Sequence, residues 1–209
     1  EILADIKEIL SKDNDLYIKF AAETYCLSGV NQFSRGKFEE ADSDFTKGLE
    51  EAKARENLPV SEYTAYLKMA AQAAEKTNAL VKAIENLSEC ALIIRRDSGE
   101  GKEFADILYK AAGLYCVQER YEDAVTMYDK AAAIYSQFYG EKSEQYVDTL
   151  YESCLSLFKA KKYAETAERI EKLQPVEYRK NEFNSLLSES YKASKAVGKL
   201  IKLKFGGKK

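Results

Sequence analysis

Apolar residues recur at intervals of three and four along almost the whole chain, which is the pattern of amphipathic helices that bury one face. No sustained alternation of apolar and polar residues favours strands. The two prolines, Pro59 and Pro175, fall between helical stretches, as expected of a residue that interrupts a helix. The pattern predicts an all-α fold with helices at about 1–10, 15–34, 37–55, 61–77, 80–96, 102–118, 121–138, 143–160, 163–173 and 178–203.

The helical pattern repeats itself at a nearly constant period. The anchors of this repeat are spaced 42, 41 and 42 residues apart, and they are Ala41, Ala83, Ala124 and Thr166. Small residues stand twelve positions before them, namely Gly29, Ala71, Ala112 and Cys154. Large residues stand three positions before them, namely Phe38, Leu80, Tyr121 and Tyr163. Small residues let two helices approach and large ones fill the space between them, so the period predicts an α-solenoid of stacked antiparallel helical hairpins.

The period also predicts the organisation of the chain as a single domain, 1–209. Its four repeats are expected at 15–55, 61–97, 102–139 and 143–173. Residues 1–12 carry apolar positions where the second helix of a preceding repeat would have them, so we interpret the sequence as part of a longer protein. The helix at 178–203 has an apolar stripe that it cannot bury alone, which predicts a C-terminal capping helix.

These columns resemble the tetratricopeptide repeat (TPR) family. The best-matching repeat is the third, with Leu108, Ala112, Tyr115, Tyr121, Ala124, Tyr128 and Ala131 at the family's signature positions. The long period and the junction at 138–150 are similar to kinesin-light-chain-type repeats, although Ser143 and Glu144 replace the His-Pro pair of that junction. The resemblance implies a superhelix in which the first helix of each repeat lines a concave groove.

In this family, groove residues bind partner peptides. Carried over by register, the groove positions are Phe33, Lys68, Gln72, Asp106, Tyr109, Cys116, Asp148, Tyr151, Leu155 and Phe158. The family's clamp for C-terminal carboxylates is not expected, because Cys26 and Val30 replace its Lys and Asn. The aromatic groove residues suit a peptide or an amphipathic helix. Alternatively, the capping helix fills the groove, or the aromatic groove residues pack between repeats.

The residue types present argue against catalysis. Histidine is absent, which excludes Ser-His-Asp and Cys-His arrangements and HExxH zinc sites. No glycine-rich phosphate-binding motif is found, and the four cysteines form no CxxC pair. We therefore predict no enzymatic activity, no cofactor and no metal site. Four separated cysteines are typical of free thiols in a reducing compartment, which predicts a cytoplasmic location.

The net charge of −3 gives no nucleic-acid signature, and no apolar run approaches the length of a membrane span. The sequence therefore predicts a non-enzymatic scaffold or adaptor that binds a protein partner in the groove. A structural spacer within a larger assembly is one alternative, and a vesicle-fusion attachment-protein-like adaptor that recruits an ATPase is another. Near the C-terminus, Lys199, Lys202 and Lys204 either favour the helix end through its dipole or contact an acidic partner or lipid headgroup.

Overall fold

The structure, a computed structural model, describes residues 2–12, 14–173 and 177–194. Within these ranges the regular elements are α-helices and no strand is present. The helices are α1 (Ile2–Lys12), α2 (Asn14–Ser34), α3 (Phe38–Arg55), α4 (Val60–Lys76), α5 (Leu80–Ser98), α6 (Lys102–Val117), α7 (Tyr121–Tyr139), α8 (Glu144–Lys159), α9 (Tyr163–Lys172) and α10 (Lys180–Ala193).

The predicted helices agree closely with these bounds. Those up to α9 begin and end within about two residues of the prediction, as expected for helices set by local periodicity. The last predicted helix, 178–203, corresponds to α10 only over Lys180–Ala193. Its remainder, which includes Lys199, Lys202 and Lys204, lies outside the described residues.

The repeat is visible in the backbone at the turn inside each hairpin. One residue in each turn has a positive φ, five positions before the anchor: Gly36 (73°), Asn78 (60°), Glu119 (59°) and Lys161 (62°). After it, the N–H of Lys37 donates to the carbonyl of Gln32 at 3.0 Å, and the N–H of Arg120 donates to that of Tyr115 at 2.9 Å. This six-to-one hydrogen bond closes the end of a helix through a left-handed residue. Four different residue types thus adopt one turn geometry.

The anchors lie where the repeat predicts them. Ala41, Ala83, Ala124 and Thr166 are all fully buried. In the first hairpin, the backbone of Gly48 comes so near Cys26 that a Cβ there would lie 2.6 Å from its Sγ and 2.8 Å from its backbone nitrogen. Such distances admit only glycine, so α2 and α3 pack at backbone contact.

The chain forms two compact units, Glu1–Gly99 and Glu100–Lys209. Within the first unit each helix packs on the next, and α2 also contacts α4. The single domain with four repeats and an N-terminal remnant stays a prediction.

Within the second unit, α6, α7, α8, α9 and α10 pack in succession, and α10 also contacts α8. The apolar cluster beneath α10 comprises Cys154, Ala167, Ile170, Leu186, Leu187 and Tyr191. The predicted capping of the last hairpin is therefore confirmed over the described part of this helix. The second unit contains seven of the ten predicted groove residues, and its α6 and α8 carry them.

Candidate functional site

One face of α6 carries three predicted groove residues and, in the same register, Gly113, at intervals of three, four and three residues, which places all four on one side of a helix. They are Asp106, Tyr109, Gly113 and Cys116. The exposed Asp106 carboxylate accepts a hydrogen bond from the Tyr135 hydroxyl at 2.6 Å. The Tyr109 ring meets the Tyr128 ring edge to face, with centroids 5.3 Å apart. Both contacts hold α6 against α7 while Tyr109 stays half-buried.

The neighbouring face of α8 carries Asp148, Tyr151, Leu155 and Phe158 with the same intervals. All four are half-buried. The Tyr151 ring meets the Phe183 ring of α10 at 5.3 Å between centroids, and Phe158 meets Tyr163 at 5.0 Å. Tyr151, Leu155 and Phe158 also pack against the apolar cluster beneath α10. The capping helix therefore contacts this side of α8, while part of each side chain remains accessible.

The two faces are joined across α6 and α8. Cys116 Sγ lies 3.2 Å from Ser156 Oγ, a distance at which either group can donate a hydrogen bond. Gly113 has no side chain, and a Cβ there would meet only the Tyr128 hydroxyl, at 3.7 Å. The position of Gly113 therefore has room for a Cβ, and we call it the open position of α6. We call this surface the α6–α8 face and define it by Asp106, Tyr109, Gly113 and Cys116 of α6 with Asp148, Tyr151, Glu152 and Leu155 of α8.

Glu152 is the residue of this face that the register did not predict. It is half-buried, and its carboxylate has no hydrogen bond or ion pair with any residue in the described part of the chain. Burial raises the pKa of Tyr109, and the negative charges of Glu152 and Asp148 raise it further. Burial likewise raises the pKa of Tyr151, again with Glu152 as the leading charge. The carboxylate of Glu152 therefore acts on tyrosines of both helices.

Arg179, just before α10, supplies the positive charge at the edge of this face. Its Nε lies 2.5 Å from Asp148 Oδ1, and its guanidinium carbon lies 4.9 Å from the centre of the Tyr151 ring. Arg179 itself has a positive φ of 55°. A local pattern could have indicated Glu152, which stands four residues after Asp148, but nothing local indicates that Arg179 reaches α8.

The first unit carries the other predicted groove residues, on α2 and α4. Phe33 is half-buried, with its ring 5.3 Å from the Phe38 ring between centroids. Lys68 is half-buried and Gln72 is exposed one helical turn later on α4. Cys26 is fully buried, and burial raises the pKa of its thiol to about 12. The role of Phe33, Lys68 and Gln72 in binding a partner stays a prediction.

Comparisons with known proteins identify the fold. No family model and no curated protein sequence matches the chain. A putative kinesin light chain from Podosopora anserina with nearly identical TPR-like repeats is similar to it, with a TM-score of 0.65 and 14% identity over 87% of this chain and 90% of that one. BtubC (BKLC) from P. vanneervenii is similar over 96% of this chain and 83% of that one, with a TM-score of 0.62 and 15% identity. The chain has a TPR-like fold.

The same fold occurs within larger proteins. The tetratricopeptide-repeat-containing signal transduction ATPase (STAND) from Pyrococcus horikoshii matches 89% of this chain with a TM-score of 0.64 and 18% identity, although only 29% of that protein is covered. The predicted all-α α-solenoid and its resemblance to long TPR-like repeats are thus confirmed.

Two further observations bear on what this TPR-like chain can hold. In residues 2–12, 14–173 and 177–194, no group of three or more Cys, Asp or Glu side chains is arranged to bind a metal ion. Over the same ranges, none of the helices is both long and apolar enough to cross a membrane.

Proposed function

We propose that the protein is a non-enzymatic interaction module that binds a peptide segment of a partner protein on the α6–α8 face. The TPR-like fold supports an interaction role in general, since this architecture presents extended surfaces to other proteins. The absence of histidine from the sequence supports the non-enzymatic part of the proposal. The cytoplasmic location stays a prediction.

The observation that carries the proposal is the pair of half-buried tyrosines beside an open position. Tyr109 and Tyr151 stand on adjacent helices, and Gly113 leaves the surface of α6 uncovered. Tyrosine combines a large apolar ring with a hydrogen-bonding hydroxyl, which makes it effective in peptide recognition. Backbone groups of an extended peptide need polar partners, and Asp106 and Glu152 supply acceptors on this face.

A variant that fills the open position tests this proposal. Replacing Gly113 by Gln adds a side chain above α6 and removes no existing contact, and glutamine is the better helix former. The matched control is Ala133→Gln, at an exposed position of α7. A random-peptide display library is selected on the full chain, and the selected peptides are then titrated against the two variants.

We expect the selected peptides to lose at least tenfold in affinity for Gly113→Gln and to keep their affinity for Ala133→Gln. Circular dichroism of both variants checks that their helical content and melting temperature are retained. Equal binding to both variants would show that the peptides bind elsewhere, and the proposal would then be wrong. The structural spacer would then be the better hypothesis, while the vesicle-fusion adaptor stays a prediction.

A further inference from the structure

Glu152 differs from every other half-buried carboxylate in the described part of the second unit. These carboxylates are Asp123, Asp129, Asp148 and Glu152. Three of them are paired with arginines: the shortest N–O distances are 2.7 Å from Arg120 to Asp123, 2.5 Å from Arg169 to Asp129 and 2.5 Å from Arg179 to Asp148. Glu152 alone has no direct ion pair among these residues, although the positive charge of Arg179 acts on it from farther away. Its carboxylate is partly desolvated and lacks a direct partner, which a bound positive charge would supply.

The surroundings of Glu152 suit a cation in a second way. Tyr109 of α6 and Tyr151 of α8 both lie within electrostatic reach of its carboxylate, and the face of a tyrosine ring attracts ammonium and guanidinium groups. The structure already contains one such arrangement on this surface, since Arg179 pairs with Asp148 and lies over the Tyr151 ring at 4.9 Å. Arg179 is thus an intramolecular example of how a cationic side chain docks on this surface.

We infer that the partner segment bound on the α6–α8 face is cationic, with a lysine or arginine side chain that pairs with Glu152 between Tyr109 and Tyr151. This inference rests on the proposed function and specifies its partner. An acidic peptide would place like charges beside Glu152 and Asp106, which is unfavourable in a partly desolvated site. A neutral peptide would leave the Glu152 carboxylate without a direct ion pair.

The test uses three fluorescently labelled peptides of equal length in which alanine alternates with lysine, with glutamine or with glutamate. Each is titrated by fluorescence anisotropy against the full chain, against Glu152→Gln and against Glu165→Gln. Glu165 is an exposed residue of α9, so its variant makes the same change in net charge at a distance from the α6–α8 face. Melting temperatures check folding, and removing the charge of Glu152, which has no direct ion pair in the described chain, should leave the melting temperature equal or raise it.

We expect the full chain to bind the lysine peptide most tightly and the glutamate peptide least. Glu152→Gln should lower the affinity for the lysine peptide by about tenfold, which is the effect of losing one partly desolvated ion pair. Glu165→Gln should change that affinity by less than about twofold. Equal weakening by the two variants would overturn the inference, because the attraction would then come from net charge alone.

Other outcomes separate this inference from the proposed function. If peptides selected from the display library are acidic or neutral and still depend on Gly113, the proposed function stands and the cationic partner is wrong. If no selected peptide depends on Gly113, both are wrong. A last outcome is that the lysine peptide binds only after Lys199, Lys202 and Lys204 have been replaced by Gln. The lysines of the chain itself would then occupy the face, and the inference that a partner segment occupies it would be wrong.

Discussion

Arg179 places its Nε 2.5 Å from Oδ1 of Asp148, which ties the start of α10 to the first half of α8. Both side chains are about 30% exposed, at 29% and 31%. The guanidinium also lies over Tyr151, so a single side chain both fastens the capping helix and covers part of the candidate binding surface.

Arg179→Ala should therefore weaken folding and strengthen binding. Loss of a partly exposed ion pair and a cation–π contact should lower the free energy of unfolding by about 1 kcal/mol. At the same time Asp148 and Tyr151 become available, so the lysine peptide should bind severalfold more tightly. Chemical denaturation and anisotropy titration measure the two effects.

The matched control for this variant is Arg120→Ala. Arg120 pairs with Asp123 and lies 4.6 Å from the centre of the Tyr115 ring, so the same two kinds of contact are lost at the turn between α6 and α7. Arg120→Ala should lower the free energy of unfolding by a similar amount and leave the affinity for the lysine peptide unchanged. A similar gain in affinity for both variants would contradict the role given to Arg179.

The turn inside each hairpin provides a second prediction. Glu119 adopts a φ of 59° where the first hairpin has Gly36, and a side chain in this region strains the backbone. Glu119→Gly should raise the free energy of unfolding by up to about 1 kcal/mol, whereas Gly36→Ala should lower it by about that amount. Urea denaturation of each variant measures both. A loss of stability in Glu119→Gly would mean that the added chain entropy outweighs the relieved strain.

A third prediction concerns acid stability. The Tyr17 hydroxyl donates to Glu51 Oε1 at 2.6 Å, and this hydrogen bond, helped by Arg55, lowers the pKa of Glu51 below its usual 4.5. Because the folded state holds the carboxylate ionised, the resulting stability is present above about pH 4.5 and is lost as the pH falls below it. Tyr17→Phe should lower the free energy of unfolding by about 1 kcal/mol at neutral pH and by less at acidic pH.

Unfolding measured from neutral to acidic pH for the wild type and Tyr17→Phe tests this coupling. The two stability curves should converge as the pH decreases. Curves that stay parallel would show that the hydroxyl stabilises the fold without acting through the charge of Glu51.

A fourth prediction uses the cysteines as reporters. All four are free; Cys26, Cys90 and Cys154 are buried, and Cys116 is half-buried on the α6–α8 face. Burial raises the pKa of Cys154 to about 12, which disfavours the reactive thiolate. A maleimide should therefore label Cys116 first in the folded chain, as mass spectrometry of digested protein would show.

A peptide bound on the α6–α8 face should slow this labelling of Cys116. The control is the Gly113→Gln variant, in which the peptide should give no protection. Unchanged labelling at saturating peptide would place the bound peptide away from this face.

Much of the fold could be predicted from the sequence because it depends on local regularities. Three-four periodicity specifies which face of a helix is apolar, so the bounds of α1 to α9 follow from it closely. The alternation of small and large residues around Ala41, Ala83 and Ala124 specifies which positions meet inside a hairpin, and these anchors are fully buried. The geometry of the turns was harder to predict from the sequence, because residues as different as Gly36, Glu119 and Lys161 share one backbone geometry there.

The charges of the candidate site depend on tertiary structure. Register alone indicated Tyr109, Asp148 and Tyr151, since each stands at a fixed offset from an anchor. Whether a carboxylate is paired, however, depends on side chains far away in sequence. Arg179 reaches Asp148 only because α10 packs back on α8, and the same packing leaves Glu152 without a direct ion pair among the described residues. The sequence by itself thus determined the helices and their buried faces through local periodicity, while only the folded chain decided which charges on the surface are compensated.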